Sequence, residues 1–167
     1  MATSPDLLRS APDVVIRPMT EADVTGVVTL ERASYQFPWS EGIFRDCLRV
    51  GYVCRVVTSG NKLIGYGVMS VGAGEAHILN LCIDTAFRCQ GIGRRMLDYL
   101  LDRGAAAGMT EAFLEVRPSN TAAIRLYLSL GFDQVGMRRG YYQAVGGRED
   151  AAVLKLSLRG RRNRGTP

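Results

Sequence analysis

The chain has 167 residues, 47% of them hydrophobic and 22% charged, the composition of one globular domain large enough to bury a core. Its formal net charge of +5 owes most to Arg159, Arg161, Arg162 and Arg164, so the body is close to neutral, which argues against direct nucleic-acid binding. No apolar run approaches the ~18 residues that span a bilayer, and the opening segment, with Leu7-Leu8 between Asp6 and Arg9, reads as a flexible extension rather than a signal peptide.

Val14-Val15-Ile16-Arg17-Pro18 reads as a first strand. Thr20-x-x-Asp23 resembles a capping box with Asp in place of Glu, opening a helix through Val24, Val27, Val28, Leu30 and Glu31. Pro38, within Tyr35-Gln36-Phe37-Pro38-Trp39-Ser40, cannot continue that helix, and Ser40 is placed to cap a second one reaching about Arg49. Strands follow at 52–58 and 63–71 around a Ser59-Gly60-Asn61 turn, then at 75–83 after Gly72-Ala73-Gly74. The stretch Arg88-Cys89-Gln90-Gly91-Ile92-Gly93-Arg94-Arg95 joins that strand to a helix over 91–107, in which Ile92, Met96, Leu97, Leu100 and Leu101 recur at helical spacing. Residues 111–116 form a short strand ended by Pro118-Ser119-Asn120, and a helix over 121–130 stops at Gly131. Strands near 132–137, extending toward Tyr142, and near 150–158 close the chain. This order predicts an α/β fold, one mixed sheet with helices on its faces, over 13–158. A flexible extension (1–12) and a basic flexible tail (159–167) flank it.

Among candidate functional residues, the glycine stretch stands out. Amides left free in a helix's first turn, with the helix dipole, make an anion site suited to a phosphate or pyrophosphate. The spacing matches neither a dinucleotide fingerprint nor a Walker A loop, and taken alone it is equally a turn that only reverses the chain. Glu115 shares a strand face with Phe113 and is either a solvent-facing carboxylate or a partly desolvated acid–base group. Asn120, Ala123, Ile124 and Tyr127 fall on one helical stripe, either core packing or a cleft wall presenting an amide and a phenol. Cys47, Cys54 and Cys82 read as small buried hydrophobes, whereas Cys89 lies beside Arg88 at the helix start, a setting that favours a reactive thiol. With no Cys-x-x-Cys pair and His77 the lone histidine, no metal site is expected, and the unpaired thiols point to the cytoplasm.

Together these residues resemble a known family. Asn80-Leu81-Cys82-Ile83-Asp84 followed by Arg88-x-x-Gly91-x-Gly93 looks like motif A of the GCN5-related N-acetyltransferases. Glu115-Val116-Arg117-Pro118-Ser119-Asn120 through Ile124-x-x-Tyr127-x-x-x-Gly131-Phe132 looks like motif B. Phe37-Pro38-Trp39-Ser40, Arg138-Arg139-x-Tyr141-Tyr142 and Gly147-Arg148-Glu149-Asp150-Ala151 are similar to the branch that acetylates the N-terminal alanine of small-subunit ribosomal protein eighteen. Cys89 departs from that branch, whose loops commonly carry Arg at this position.

The resemblance implies a mostly antiparallel sheet and acetyl-CoA as acetyl donor. Its pyrophosphate would lie on the amides of Cys89, Gln90, Gly91, Ile92, Gly93 and Arg94, with Arg88 and other arginines supplementing them. Backbone groups of Leu81, Cys82 and Ile83 would hold the pantetheine arm, and Asn120 would help seat it. Glu115 is implied as general base and Tyr127 as general acid, with Phe37, Trp39, Tyr141 and Tyr142 as the wall for a ribosomal protein's N-terminal peptide. Glu31, Glu41 and Glu149 are acidic positions that would face a basic peptide, unless they are ordinary solvated carboxylates. An α-amine with a pKa near ~7.7–8.0 suits a carboxylate base better than a lysine amine near ~10.4, which is almost wholly protonated at neutral pH. The alternatives are an acetyltransferase for lysine or a small amine, and a non-catalytic acyl-CoA-binding module.

Overall fold

In the computed structural model residues 13–161 are described. The extension expected over 1–12, and residues 162–167 of the expected tail, lie outside the described residues. Strand β1 (Val14–Pro18) leads through a 3-10 turn at Glu21–Asp23 into helix α1 (Val24–Ser34), followed by α2 (Glu41–Arg49). A meander of β2 (Val53–Ser59), β3 (Lys62–Gly72) and β4 (Glu75–Ile83) comes next, then α3 (Ile92–Ala106), β5 (Glu111–Val116) and α4 (Thr121–Ser129). The hairpin of β6 (Asp133–Ala144) and β7 (Gly147–Ser157) ends the fold.

The first helix starts later than its capping box suggests. Asp23 accepts from the Thr20 amide at 2.8 Å, but it is also gripped by Arg17 through bonds of 2.7 and 2.8 Å, and the turn it closes is 3-10 rather than α. Ser40 caps α2 as expected, accepting from the Ile43 amide. The final hairpin is longer than the apolar pattern indicates, because most of β6 is exposed and carries little hydrophobic alternation.

The seven strands order as β1-β2-β3-β4-β5-β7-β6, and every pair is antiparallel except β4 with β5. On one face α3 buries Ile92, Met96, Leu97, Leu100 and Leu101 together with Tyr127 of α4. On the other, Val24, Val27 and Val28 of α1 and Phe44 and Cys47 of α2 cover Cys54, Val56, Tyr66, Val68 and Cys82. Leu100 is wholly buried, so Leu100→Ala removes about 2–5 kcal/mol. Arg161 ion-pairs with Asp98 at 3.0 Å and Asp102 at 2.7 Å, so this arginine of the expected tail is docked on α3.

One irregularity positions the site. The parallel strands pair only from Glu75↔Glu111 to Ile78↔Leu114, while β4 stays paired with β3 as far as Ile83 and β5 stays paired with β7 as far as Val116. Beyond Ile78 the two central strands therefore diverge, each held by its outer neighbour. Met69 faces Ile78 and Val68 faces Asn80, which makes Leu79 an extra residue in β4. Such a bulge bends the strand and shifts its alternation by one. Ile78 packs on the α3 face, whereas Asn80, two residues on, reaches Glu31 of α1 on the opposite face.

Candidate active site

The divergence of β4 and β5 opens a cleft of about 610 Å³. Its walls bring together Tyr35, Phe37 and Trp39 from the loop between α1 and α2, Asn80 and Leu81 of β4, Glu115 of β5, Asn120 and Tyr127 of α4, and Tyr142 of β6.

The floor is the unpaired edge of β4. The Asp84 amide donates to Ile64 of β3 at 2.7 Å, so by strand alternation Cys82 turns its main chain to β3 while Leu81 and Ile83 turn theirs to the opposite edge. Cys82 is 3% exposed, its side chain filling the core behind the strand. Side chains occupy both carbonyls: the Tyr35 hydroxyl donates to Leu81 O at 2.7 Å, and Arg88 Nε donates to Ile83 O at 2.9 Å. By the same alternation the Leu81 and Ile83 N–H groups lie along this edge of β4, with Leu81 in the cleft lining. Burial, then Cys82 and Glu31 nearby, pushes the Tyr35 phenol well above its ordinary pKa, so it stays a donor.

At the end of the strand lies the glycine loop. Asp84 accepts from the Ala86 amide at 3.0 Å and starts a 3-10 turn, after which Cys89 (φ 60°) and Gly91 (φ 78°) both take the left-handed conformation. Main-chain N–H groups around such residues converge into an anion-binding concavity. Gly91 is the N-cap of α3, and among the described residues no side chain accepts from the helix's first-turn amides. Among the described residues a Cβ at Gly91 would meet nothing within 4 Å, so its requirement is conformational. Gln90 and the thiol-bearing Cys89 are exposed, Ile92 is buried in the core, Gly93 abuts Leu126, and Arg94 ties α3 to α4 by donating to Ser129 Oγ at 3.0 Å. Arg88 folds back on the strand rather than reaching into the loop.

Glu115 and Tyr127 both line the cleft. The Glu115 side chain is 12% exposed and lies 3.3 Å from Arg138 Nε, so its carboxylate is partly desolvated and paired. Tyr127 is 9% exposed, its ring packs edge-on against Phe132 at 5.9 Å, and burial raises its phenol to about 12. Among the described residues its hydroxyl has no protein partner, yet it is not sealed from the cleft. Asn120 caps α4, accepting from the Ala123 amide at 3.2 Å, which leaves its amide NH2 for the cleft.

Tyr142 lies in the cleft wall beneath Arg117, whose guanidinium is 4.4 Å from the ring centroid. Tyr141 is outside the wall. It is 43% exposed on the β6 bulge and touches Tyr142 edge-on at 4.8 Å. Each of the three acidic positions is engaged within the protein. Glu31 is 2% exposed and accepts from Trp39 N and Asn80 Nδ2, each at 3.0 Å, and from the Tyr66 hydroxyl. It ties the Phe-Pro-Trp-Ser loop to β3 and β4. Glu149 accepts from Ser119 Oγ at 2.7 Å and from Arg117 at 3.2 Å, and Ser119 and Arg117 hold its carboxyl below the usual range. Glu41 pairs with Arg45. Tyr35, Arg117 and Arg138 are the site residues that sequence reasoning missed, and only their places beside motif residues pointed to them.

Fold and cleft define an acyl-transfer enzyme, and the chain belongs to the acetyltransferase (GNAT) family, whose model matches residues 24–132. More narrowly, it is 35% identical over 143 residues, 86% of this chain and 97% of the other, to the [ribosomal protein bS18]-alanine N-acetyltransferase of Escherichia coli strain K12. It is 33% identical over 145 residues, 86% of this chain and all of the other, to the protein of that name in Haemophilus ducreyi. The crystal structure of the Escherichia coli ribosomal-protein-S18-alanine N-acetyltransferase superposes with a TM-score of 0.81 at 34% identity, covering 87% of this chain and 94% of that one. Ard1 from Thermoplasma volcanium superposes with a TM-score of 0.79 at 26% identity, covering 86% of this chain and 97% of that one. No helix among the described residues is long and apolar enough to cross a membrane.

Proposed function

We propose that this protein transfers the acetyl group of acetyl-CoA to the α-amine of the N-terminal alanine of ribosomal protein bS18. The observation that carries the reading is the identity to bS18-alanine N-acetyltransferases across nearly their whole length. The geometry supports it chemically, because a strand edge, a carboxylate and a phenol line one cleft, and the glycine loop with its uncapped helix start follows the same strand.

In this reading the diphosphate rests on the amides of Cys89 to Arg94, and glycine at position 91 lets the backbone close on it. The Leu81 and Ile83 N–H groups hold the pantetheine arm, and one of them donates to the thioester oxygen as negative charge develops there. Asn120 offers its amide to the arm from the other side. Glu115 accepts the proton of the attacking amine through water, and Tyr127 donates to the departing sulfur. A phenol at about 12 stays protonated at neutral pH but is a weaker acid than a free thiol near ~8.5. Its principal contribution is therefore a hydrogen bond that stabilises the thiolate in a dry site, where the thiolate's basicity rises as well. Phe37, Trp39 and Tyr142 flank the acceptor.

The test is incubation with acetyl-CoA and peptides beginning Ala, Ser or Met, or carrying an internal Lys behind a blocked terminus, with fragment-ion localisation of the product. Acetylation on the α-nitrogen of the bS18 peptide is expected. Labelling confined to lysine side chains refutes the assignment.

A further inference from the structure

We infer that Arg148 and Asp150 are positioning residues that clamp a three-residue bulge of β6 and so hold Tyr142 in the cleft wall. The inference rests on the proposal above that this wall receives the acceptor. Arg138 faces Ala151 and Tyr142 faces Glu149, so Arg139, Gly140 and Tyr141 together stand opposite Asp150 alone. At the apex Gly140 takes φ 57°, the left-handed region. Its two peptide groups are both held from β7. The Gly140 amide donates to Asp150 Oδ1 at 2.8 Å, and Arg148 donates through Nε to the Gly140 carbonyl and through Nη2, at 3.2 Å, to the Tyr141 carbonyl.

The clamp matters because β6 is an edge strand with little buried surface to fix its register. If the register at Arg138↔Ala151 simply continued, Tyr142 would face Gly147 rather than Glu149. That is two positions along β7, or about 7 Å at strand rise. The ring would leave Arg117, which Glu149 holds at 3.2 Å, and the wall would lose its tyrosine. Arg148, Glu149 and Asp150 thus divide one task. The outer two grip the β6 backbone, and the middle one anchors the loop that carries Arg117 and Ser119. Among the described residues, β4, the glycine loop and α3, which the proposal gives to acetyl-CoA, make no hydrogen bond with Arg148 or Asp150.

The test compares Asp150→Ala with Asp150→Asn, which keeps an Oδ1 acceptor for the Gly140 amide, and adds Arg148→Ala as a second route to the same loss. Each is assayed on the acceptor that the wild-type enzyme modifies fastest. Asp150→Ala and Arg148→Ala are expected to raise the acceptor KM about tenfold, the effect of losing one charge-assisted hydrogen bond, with the calorimetric Kd for acetyl-CoA within about twofold of wild type. Asp150→Asn is expected to stay within about threefold of wild type. Unchanged acceptor KM in both alanine variants overturns the clamp, as does a parallel rise in acceptor KM and acetyl-CoA Kd. A wild-type enzyme that modifies lysine or a small amine refutes the bS18 assignment, while the clamp is still decided on that acceptor.

Discussion

Tyr127→Phe separates a catalytic phenol from a packing one. The ring is 9% exposed and lies edge-on to Phe132, contacts that phenylalanine keeps, and among the described residues the hydroxyl bonds to no protein group. Stability should therefore change by no more than about 0.5 kcal/mol. Burial alone raises this phenol from 10 to about 12, so ionisation there costs roughly 2–3 kcal/mol more than in water. A thiolate forming beside it meets the same dry surroundings. One donor aimed at such charge contributes about 2.7–4 kcal/mol, a hundred- to a thousandfold in kcat. Steady-state kinetics should show kcat falling by that factor with the acetyl-CoA KM nearly unchanged, and thermal unfolding should show no shift beyond a few degrees. A variant that melts much lower but turns over normally would make Tyr127 a core residue with no part in the chemistry.

Glu115→Gln should lower kcat/KM about a hundredfold below pH ~8, where an α-amine is largely protonated, and less above it. A mutant-to-wild-type ratio that stays constant across the pH profile would remove Glu115 as the base. Gly91→Ala places a side chain at φ 78°, costing about 1–2 kcal/mol of local strain, although the new Cβ meets no atom of the described residues within 4 Å. Its acetyl-CoA affinity by calorimetry should fall about tenfold or more while the fold persists; unaltered affinity would place the diphosphate elsewhere. Arg17 depresses the Asp23 carboxyl from 3.8 to about 2, so the contribution of that pair is complete above pH ~4 and fades as pH drops toward ~2. Arg17 is 41% exposed at its side chain, and after solvent screening the effect is about 1 kcal/mol. Denaturant midpoints for wild type and Asp23→Asn should therefore converge at low pH, and a gap that stays constant from pH 7 to 2 would count against the pair.

Helix α3 and the glycine turn before it were legible in the sequence, because their signals are local. The period of Ile92, Met96, Leu97, Leu100 and Leu101 identifies α3, and a glycine directly before a helix announces uncapped amides. The cleft itself was not legible. Ile78-Leu79-Asn80-Leu81 reads as an uninterrupted strand, and the extra residue at Leu79 emerges only when β3 and β5 compete for β4. Glu31 read as a helix-surface acid because its donors, Trp39, Tyr66 and Asn80, are scattered along the chain. The same reason hid the roles of Glu149 and Asp150, whose partners lie on other strands and loops. Tyr141 and Tyr142 looked equivalent as neighbours, and the β6 bulge alone separates them into a surface ring and a cleft ring.

A conjugate joining coenzyme A through its acetyl carbon to the α-nitrogen of the bS18 N-terminal peptide would occupy both halves of the cleft at once. Inhibition should be competitive against acetyl-CoA and against peptide, with an affinity orders of magnitude above either substrate alone. A conjugate that binds no better than coenzyme A and does not compete with the peptide would contradict a single cleft in which the thioester meets the amine.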